Sequence, residues 1–264
     1  MSRLGPLFDD LRRDKRCAVI PYLVAGDPSE ALTVPLMHSL VDAGADVIEI
    51  GVPFSDPMSE GPTIQKGHER ALAGGTSLRS TLALVKQFRA TDSKTPLILM
   101  RYANPLERQG YTVVADACAD AGIDGLITVD LPPEEVDAMN TELQRHHIDN
   151  IFLISPTTSD VRVATITAQA SGFIYYVALK GVTGAGHLDT EAVERHLQTI
   201  RQHTDLPIAV GFGIKDADTA ATVSRCADAV VVGSALVDLV AGDFARHQSD
   251  ATAISSAHTL ISNI

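Results

Sequence analysis

Glu49 sits inside VIEIG, between Ile48 and Ile50. Carboxylates are seldom buried in apolar runs without a reason. Desolvation would raise its pKa toward the range where one carboxyl can both give and take a proton. The alternative is a structural carboxylate paired with a buried cation. The stretch that follows, GVPFSDPMSEGPTIQ (51–65), carries three prolines and two glycines and so specifies a stiff, unusual backbone. It holds Asp56 and Glu60, and either could meet Glu49 and give two carboxylates with separate tasks. A solvated surface loop is the plainer reading. LKGVTGAGH (179–187) is Gly-rich and reads as a lid with Thr183 near its middle, or as a merely flexible loop. GFG (211–213) ends one apolar run, and VGSAL (232–236) ends another and enters a short helix at Ser234; there Gly213, Gly233 and Ser234 can bring backbone N–H groups close to an oxyanion.

Other chemistry is not signalled. The nine histidines do not cluster. Their near pair, His146 and His147, lies in a polar stretch, and no metal-ligand spacing stands out, so no metal is expected. Cys17, Cys118 and Cys226 are far apart and odd in number, which suits reduced thiols in a cytoplasmic protein. The 264 residues carry a formal net charge of −12, which argues against nucleic-acid or anionic-membrane partners. A phosphorylated small molecule remains open. The charged N-terminus is expected to be neither a signal peptide nor a membrane span.

These residues must be positioned by something, and the chain repeats one theme. Short apolar runs end in Gly, Pro, Asp or Ser, and helical patterns follow. The runs are 18–26, 46–53, 96–105, 124–132, 150–155, 172–180, 207–213 and 228–234. Each is rich in Val and Ile and nearly continuous in hydrophobicity, as a parallel strand covered on both faces must be. Leu4, Leu7, Phe8 and Leu11 add an amphipathic helix in front, and 246–263 closes the count of helices. The expected fold is α/β, a single (β/α)8 TIM barrel spanning 1–264 with an extra N-terminal helix. An open doubly wound sheet is disfavoured because AGDPSE, after the first run, lacks the G-x-G-x-x-G loop. Pro35 implies that the first crossover helix starts near Thr33 or is kinked.

A barrel of this kind builds its site at the C-terminal ends of its strands. Alternation puts Val47, Glu49 and Gly51 on one face, so Glu49 should point into the mouth if Ile48 and Ile50 face the helices. The loops after the seventh and eighth strands are the recurrent phosphate site of such barrels, which is where Gly213, Gly233 and Ser234 fall.

The chain resembles the tryptophan synthase alpha subunit family over nearly its whole length. The resemblance rests on PYLVAGDP (21–28), DAGADVIEIGVPFSDP (42–57), GPTIQ (61–65), YANP (102–105), VDLPPEE (129–135), GVTGA (181–185), GFGI (211–214) and VVGSALV (231–237). It implies retro-aldol cleavage of indole-3-glycerol phosphate to indole and glyceraldehyde 3-phosphate, with no cofactor in this subunit. By the resemblance Glu49 shuttles the proton and Glu60 stabilises charge on the indole N–H. Gly184, Gly213, Gly233 and Ser234 match phosphate contacts. Tyr22, Met100, Tyr102, Ile127, Val129, Leu153, Tyr175 and Phe212 match the wall around the indole, and Thr183 matches the lid residue that bonds the loop carboxylate on closure. Asp56, Pro57, Asn104 and Pro132 match positions at the contact with a PLP-dependent beta subunit, which receives indole through a tunnel in an assembly of two alpha and two beta subunits.

This chain departs from the family at Glu60, where Asp is usual, at neighbouring Ser59, where Ala is usual, and at Arg101, which alternation turns away from Met100 and is expected near the rim. If the family geometry applies, Glu60→Asp should maintain or raise the rate, whereas a large loss would mean that the surroundings have adapted to Glu. Two other readings stay open: a weakly catalytic regulatory subunit that activates the beta subunit, and another phosphate-binding barrel enzyme, either a free-standing indole-glycerol-phosphate lyase or a prenyl-phosphate transferase.

Overall fold

The computed structural model describes residues 2–178, 190–211 and 213–264. Apolar runs become strands and periodic stretches become helices. α1 (Leu4–Asp14) precedes β1 (Ala18–Val24) and α2 (Glu30–Asp42). β2 (Ile48–Gly51) leads to α3 (Pro62–Ala73) and α4 (Leu78–Arg89), and β3 (Leu97–Arg101) to α5 (Ala103–Gln109) and α6 (Tyr111–Ala121). Then come β4 (Gly125–Thr128) with α7 (Asp137–Arg145), β5 (Asp149–Ile154) with α8 (Asp160–Gln169), β6 (Ile174–Val177) with α9 (Thr190–Arg201), and β7 (Ile208–Gly211) with α10 (Ala217–Val223). β8 (Ala229–Val232) runs into α11 (Ser234–His247) and α12 (Asp250–Ser262). The strands pair in parallel in sequence order, and β8 closes on β1 through Ala18↔Ala229, making a closed barrel.

Strand alternation sorts the apolar residues into two cores. Ile20, Tyr22, Val24, Val47, Ile98, Ile127, Ile151, Ala209 and Val231 fill the inside of the barrel. Leu23, Ile48, Ile50, Leu97, Leu99, Leu126 and Val210 face outward under the helices. The register sets Glu49 beside Tyr22 on one neighbouring strand and Ile98 on the other, so one layer of the interior contains the carboxylate. Gly51 continues that layer. A Cβ there would lie 2.2 Å from Tyr22 Oη, so only glycine lets the tyrosine lie across the strand.

The N-terminal end of the barrel is shut by α1. Leu4, Phe8 and Leu11 join the inner core, and the Phe8 ring packs against Phe173 with centroids 5.8 Å apart. A buried carboxylate fastens the helix. Asp124 accepts from the Arg3 backbone N–H at 2.9 Å and from Arg3 Nη1 at 2.8 Å, and also from Arg89 Nη2 at 3.0 Å and the Leu97 N–H at 2.9 Å.

Several local expectations shift. α2 begins at Glu30, because Ser29 Oγ caps the Leu32 N–H at 3.3 Å; Pro35 therefore lies inside the helix and not in its first turn. Residues 62–65 belong to α3 and not to the loop, with Pro62 presetting the first helical φ. Residues 103–105 of the third apolar run open α5. The region after β8 folds as two helices: α11 starts at Ser234 and is long, not short. Arg101 corrects the expectation of a rim position. It is 3% exposed on the outward face of β3, near Cys118 of α6, and burial pulls its pKa down to about 10.

Candidate active site

At the C-terminal mouth the described residues surround a cavity of about 1190 Å³. Glu49 forms part of its floor at 1% exposure, and neither carboxylate oxygen has a hydrogen-bond partner among the described residues. Burial, and after it the charge of Glu60, raises the Glu49 pKa to about 8. An unpaired carboxyl with that pKa is protonated at neutral pH and ionises within reach of it, as a group that both gives and takes a proton requires. Burial likewise drives the phenols of Tyr22 and Tyr175 well above their ordinary pKa, so both stay neutral beside it.

The wall is apolar on one side. Tyr22, Met100, Val129, Leu153 and Tyr175 line it, each from the inward face of a strand or the residue just after one. The loop from β2 to α3 crosses the mouth and contributes Met58, Ser59 and Glu60. Gly213, Gly233 and Ser234, after β7 and β8, line the cavity between the strands that carry Tyr175 and Tyr22. Gly213 has φ +92°, a conformation open to glycine and strained for a side chain. Gly233 precedes α11, whose first turn has no side-chain cap among the described residues; the Leu236 and Val237 N–H groups turn back to the Gly233 carbonyl, which leaves those of Ser234 and Ala235 for an anion. Lys215 lines the same side, and the sequence motifs did not point to it.

Two expected wall residues take other places. Ile127 is fully buried in the barrel interior and does not line the cavity. Tyr102, 1% exposed, supports the loop from behind: its Oη accepts the Ser59 N–H at 3.2 Å, and its ring stacks on Phe54 with centroids 5.0 Å apart. Thr183, Gly184 and Phe212 lie outside the described residues. Of the expected contact positions, Asp56 and Asn104 are exposed, Pro132 is half-buried, and Pro57 is buried by its own chain.

Sequence reasoning missed His68. It stands on the buried stripe of α3 with Gly67 and Ala71, 1% exposed, and its Nε2 lies 2.8 Å from Glu60 Oε2. The signal was there in the helical spacing of Ile64, His68 and Ala71, which turns one face of α3 toward the barrel. Among the described residues no group of three or more His, Cys, Asp or Glu side chains could hold a metal ion, and no helix is long and apolar enough to cross a membrane.

Comparison with known proteins gives the chain a family. The family model described as tryptophan synthase alpha chain matches residues 8–262. The tryptophan synthase alpha chain of Thioalkalivibrio sulfidiphilus is 56% identical over 250 residues, covering 95% of this chain and 92% of its own. That of Marinobacter nauticus is 52% identical over 259 residues, covering 98% and 94%. The crystal structure of the Legionella pneumophila tryptophan synthase alpha chain superposes with a TM-score of 0.89 at 41% identity, covering 100% of this chain and 95% of that one. With a closed eight-stranded barrel, a buried acid in its mouth and near full-length identity above 50%, the chain belongs to the tryptophan synthase alpha chain family.

Proposed function

We propose that this barrel, acting as one unit over residues 1–264, cleaves indole-3-glycerol phosphate by a retro-aldol reaction in which Glu49 moves the proton. Protonated Glu49 delivers its proton to indole C3. The bond from C3 to the glycerol chain then breaks, its electron pair returns to the ring, and the glycerol hydroxyl gives its proton to the Glu49 carboxylate. Indole and glyceraldehyde 3-phosphate leave, and Glu49 is protonated again. The observation that carries this reading is the unpaired, buried Glu49 carboxyl with a pKa raised to about 8.

Glu60 holds the positive charge that develops on the ring through the indole N–H. The apolar wall of Tyr22, Met100, Val129, Leu153 and Tyr175 takes the ring, with Ile127 packing beneath it, Tyr102 behind the loop and Phe212 completing the wall. The phosphate sits on the N–H groups around Gly213, Gly233 and Ser234, joined by Gly184, and Thr183 meets the loop carboxylate on closure. No cofactor takes part in this subunit.

The partner is a PLP-dependent beta subunit, in a cytoplasmic assembly of two alpha and two beta subunits. Asp56, Pro57, Asn104 and Pro132 lie at or near that contact, and indole passes through it. A mycobacterial tryptophan synthase structure, from M. tuberculosis, has a TM-score of 0.87 to this chain at 34% identity. The test is turnover of indole-3-glycerol phosphate by the purified chain, alone and with the beta subunit. Indole release that vanishes in Glu49→Gln supports the reading. No release from the wild type in either setting makes the chain a regulatory subunit and sinks it.

A further inference from the structure

Glu60 has a partner fixed on a neighbouring helix. His68 is buried, and its Nδ1 accepts the Phe54 N–H at 2.9 Å. A neutral imidazole that accepts at Nδ1 carries its proton on Nε2. That nitrogen lies 2.8 Å from Glu60 Oε2 and 3.4 Å from Tyr22 Oη. In this conformation the ring Nε2 is hydrogen-bonded with Tyr22 Oη and Glu60 Oε2 has no hydrogen-bond partner among the described residues, so donation to Oε2 requires the Glu60 side chain to turn. One ring thus holds the loop main chain at Phe54 and stands 2.8 Å from its acid at Glu60. Gln65, also on α3, adds a second hold by donating from Nε2 to the Glu60 backbone carbonyl at 2.9 Å.

We propose that His68 is the positioning residue of the second carboxylate: donating from Nε2 to Glu60 Oε2, it sets the side chain across the mouth and leaves the other oxygen for the indole N–H. The inference rests on the reading of Glu60 as the charge-stabilising group. It also explains why Glu stands at this position. The longer side chain reaches a ring anchored on α3, and an aspartate would fall short of it. Such a carboxylate acts through where it is as much as through its charge, and about 1 Å of misplacement is worth on the order of 100-fold. Glu60→Asp should therefore lower turnover, contrary to what the family pattern alone suggests.

The test is steady-state cleavage of indole-3-glycerol phosphate by the full chain, alone and with its beta subunit. His68→Asn keeps an acceptor for the Phe54 N–H but withdraws the donor from Glu60. It should lower kcat roughly 10- to 100-fold while KM moves less than about threefold. His68→Gln restores an N–H near the Nε2 position and should recover most of the loss. In a Glu60→Ala background, where no acceptor faces the ring, His68→Asn should cost less than about twofold, because the partner is already gone. Wild-type turnover in folded His68→Asn, an equal loss in both backgrounds, or a His68→Gln no better than Asn would overturn the role. Full activity in Glu60→Gln alone would instead remove the reading beneath it. If His68 variants do not fold, Glu60→Asp decides: roughly a tenfold fall or more in kcat supports the pairing, and an unchanged rate ends it.

Discussion

The two ends of the barrel each bury a carboxylate, and they treat it in opposite ways. At the closed end the Asp124 side chain is 1% exposed and accepts four hydrogen bonds, from two arginines and two backbone N–H groups. At the open end Glu49 is equally buried and accepts none from the described residues. Burial alone does not decide what an acid does. A satisfied carboxylate fastens α1 to the strands, while an unsatisfied one keeps its proton and stays available for transfer. The price of the second arrangement is stability, which the first helps to restore.

Substitutions at the two acids should separate these roles. The largest effect is expected from Glu49→Gln, with kcat for indole release falling on the order of 10²- to 10⁴-fold while a glycerol-phosphate analogue still binds in calorimetry. Substantial residual turnover would leave Glu49 without its task. The same variant should be more stable than the wild type at alkaline pH. Glu49 has a folded pKa of about 8 against the ordinary 4.5, so the folded chain keeps a proton that the unfolded chain releases. The associated stability is fully present below about pH 4.5 and is lost as pH rises through about 8. Glu49→Gln escapes that loss, on the order of 5 kcal/mol at the alkaline limit, and urea titrations at pH 5 and pH 9 would show whether the gap opens.

Asp124→Asn should do the reverse. It leaves the half-buried Arg3 and Arg89 short of their anion and should lower stability by roughly 1.5–3 kcal/mol, with kcat of the folded fraction little changed. A loss of kcat without a loss of stability would break the division between the two ends. Because the proposed cycle starts and ends with Glu49 protonated, kcat/KM should fall about tenfold per unit above a pKa near 8, and an alkaline limb absent up to pH 10 would count against it. The smallest effect is expected for Tyr102→Phe. Loss of the Ser59 hydrogen bond should weaken the loop by about 1 kcal/mol and raise KM a few-fold, leaving kcat near wild type.

Much of the open end could be read before any coordinates. The period-two pattern of Val47, Glu49 and Gly51 against Ile48 and Ile50 assigned Glu49 to the inside, and the two clusters of core residues show that assignment. The Gly and Ser turns after the seventh and eighth runs did come together on one side of the mouth. Less was legible where the role depends on depth along a strand. Ile127 and Val129 share a face, yet only Val129 lines the cavity, because alternation gives the side of the sheet and not the layer. Tyr102 follows the parity of Met100 but sits beyond the strand end, where it meets the loop backbone.

What the chain determined by itself is therefore local: which residues alternate, where strands stop, and where prolines and glycines stiffen or open the backbone. What only the folded molecule decided is which distant groups become neighbours. His68 meets Glu60 because α3 lays its buried stripe over the mouth, and Arg3 meets Asp124 because α1 folds back across the barrel floor. Arg101 is buried with its Nε and Nη1 unpaired because α6 covers the outer face of β3. Periodicity carries the direction of a side chain through a few bonds, but the identity of its partner depends on how separate elements pack, and that is settled by the whole core at once.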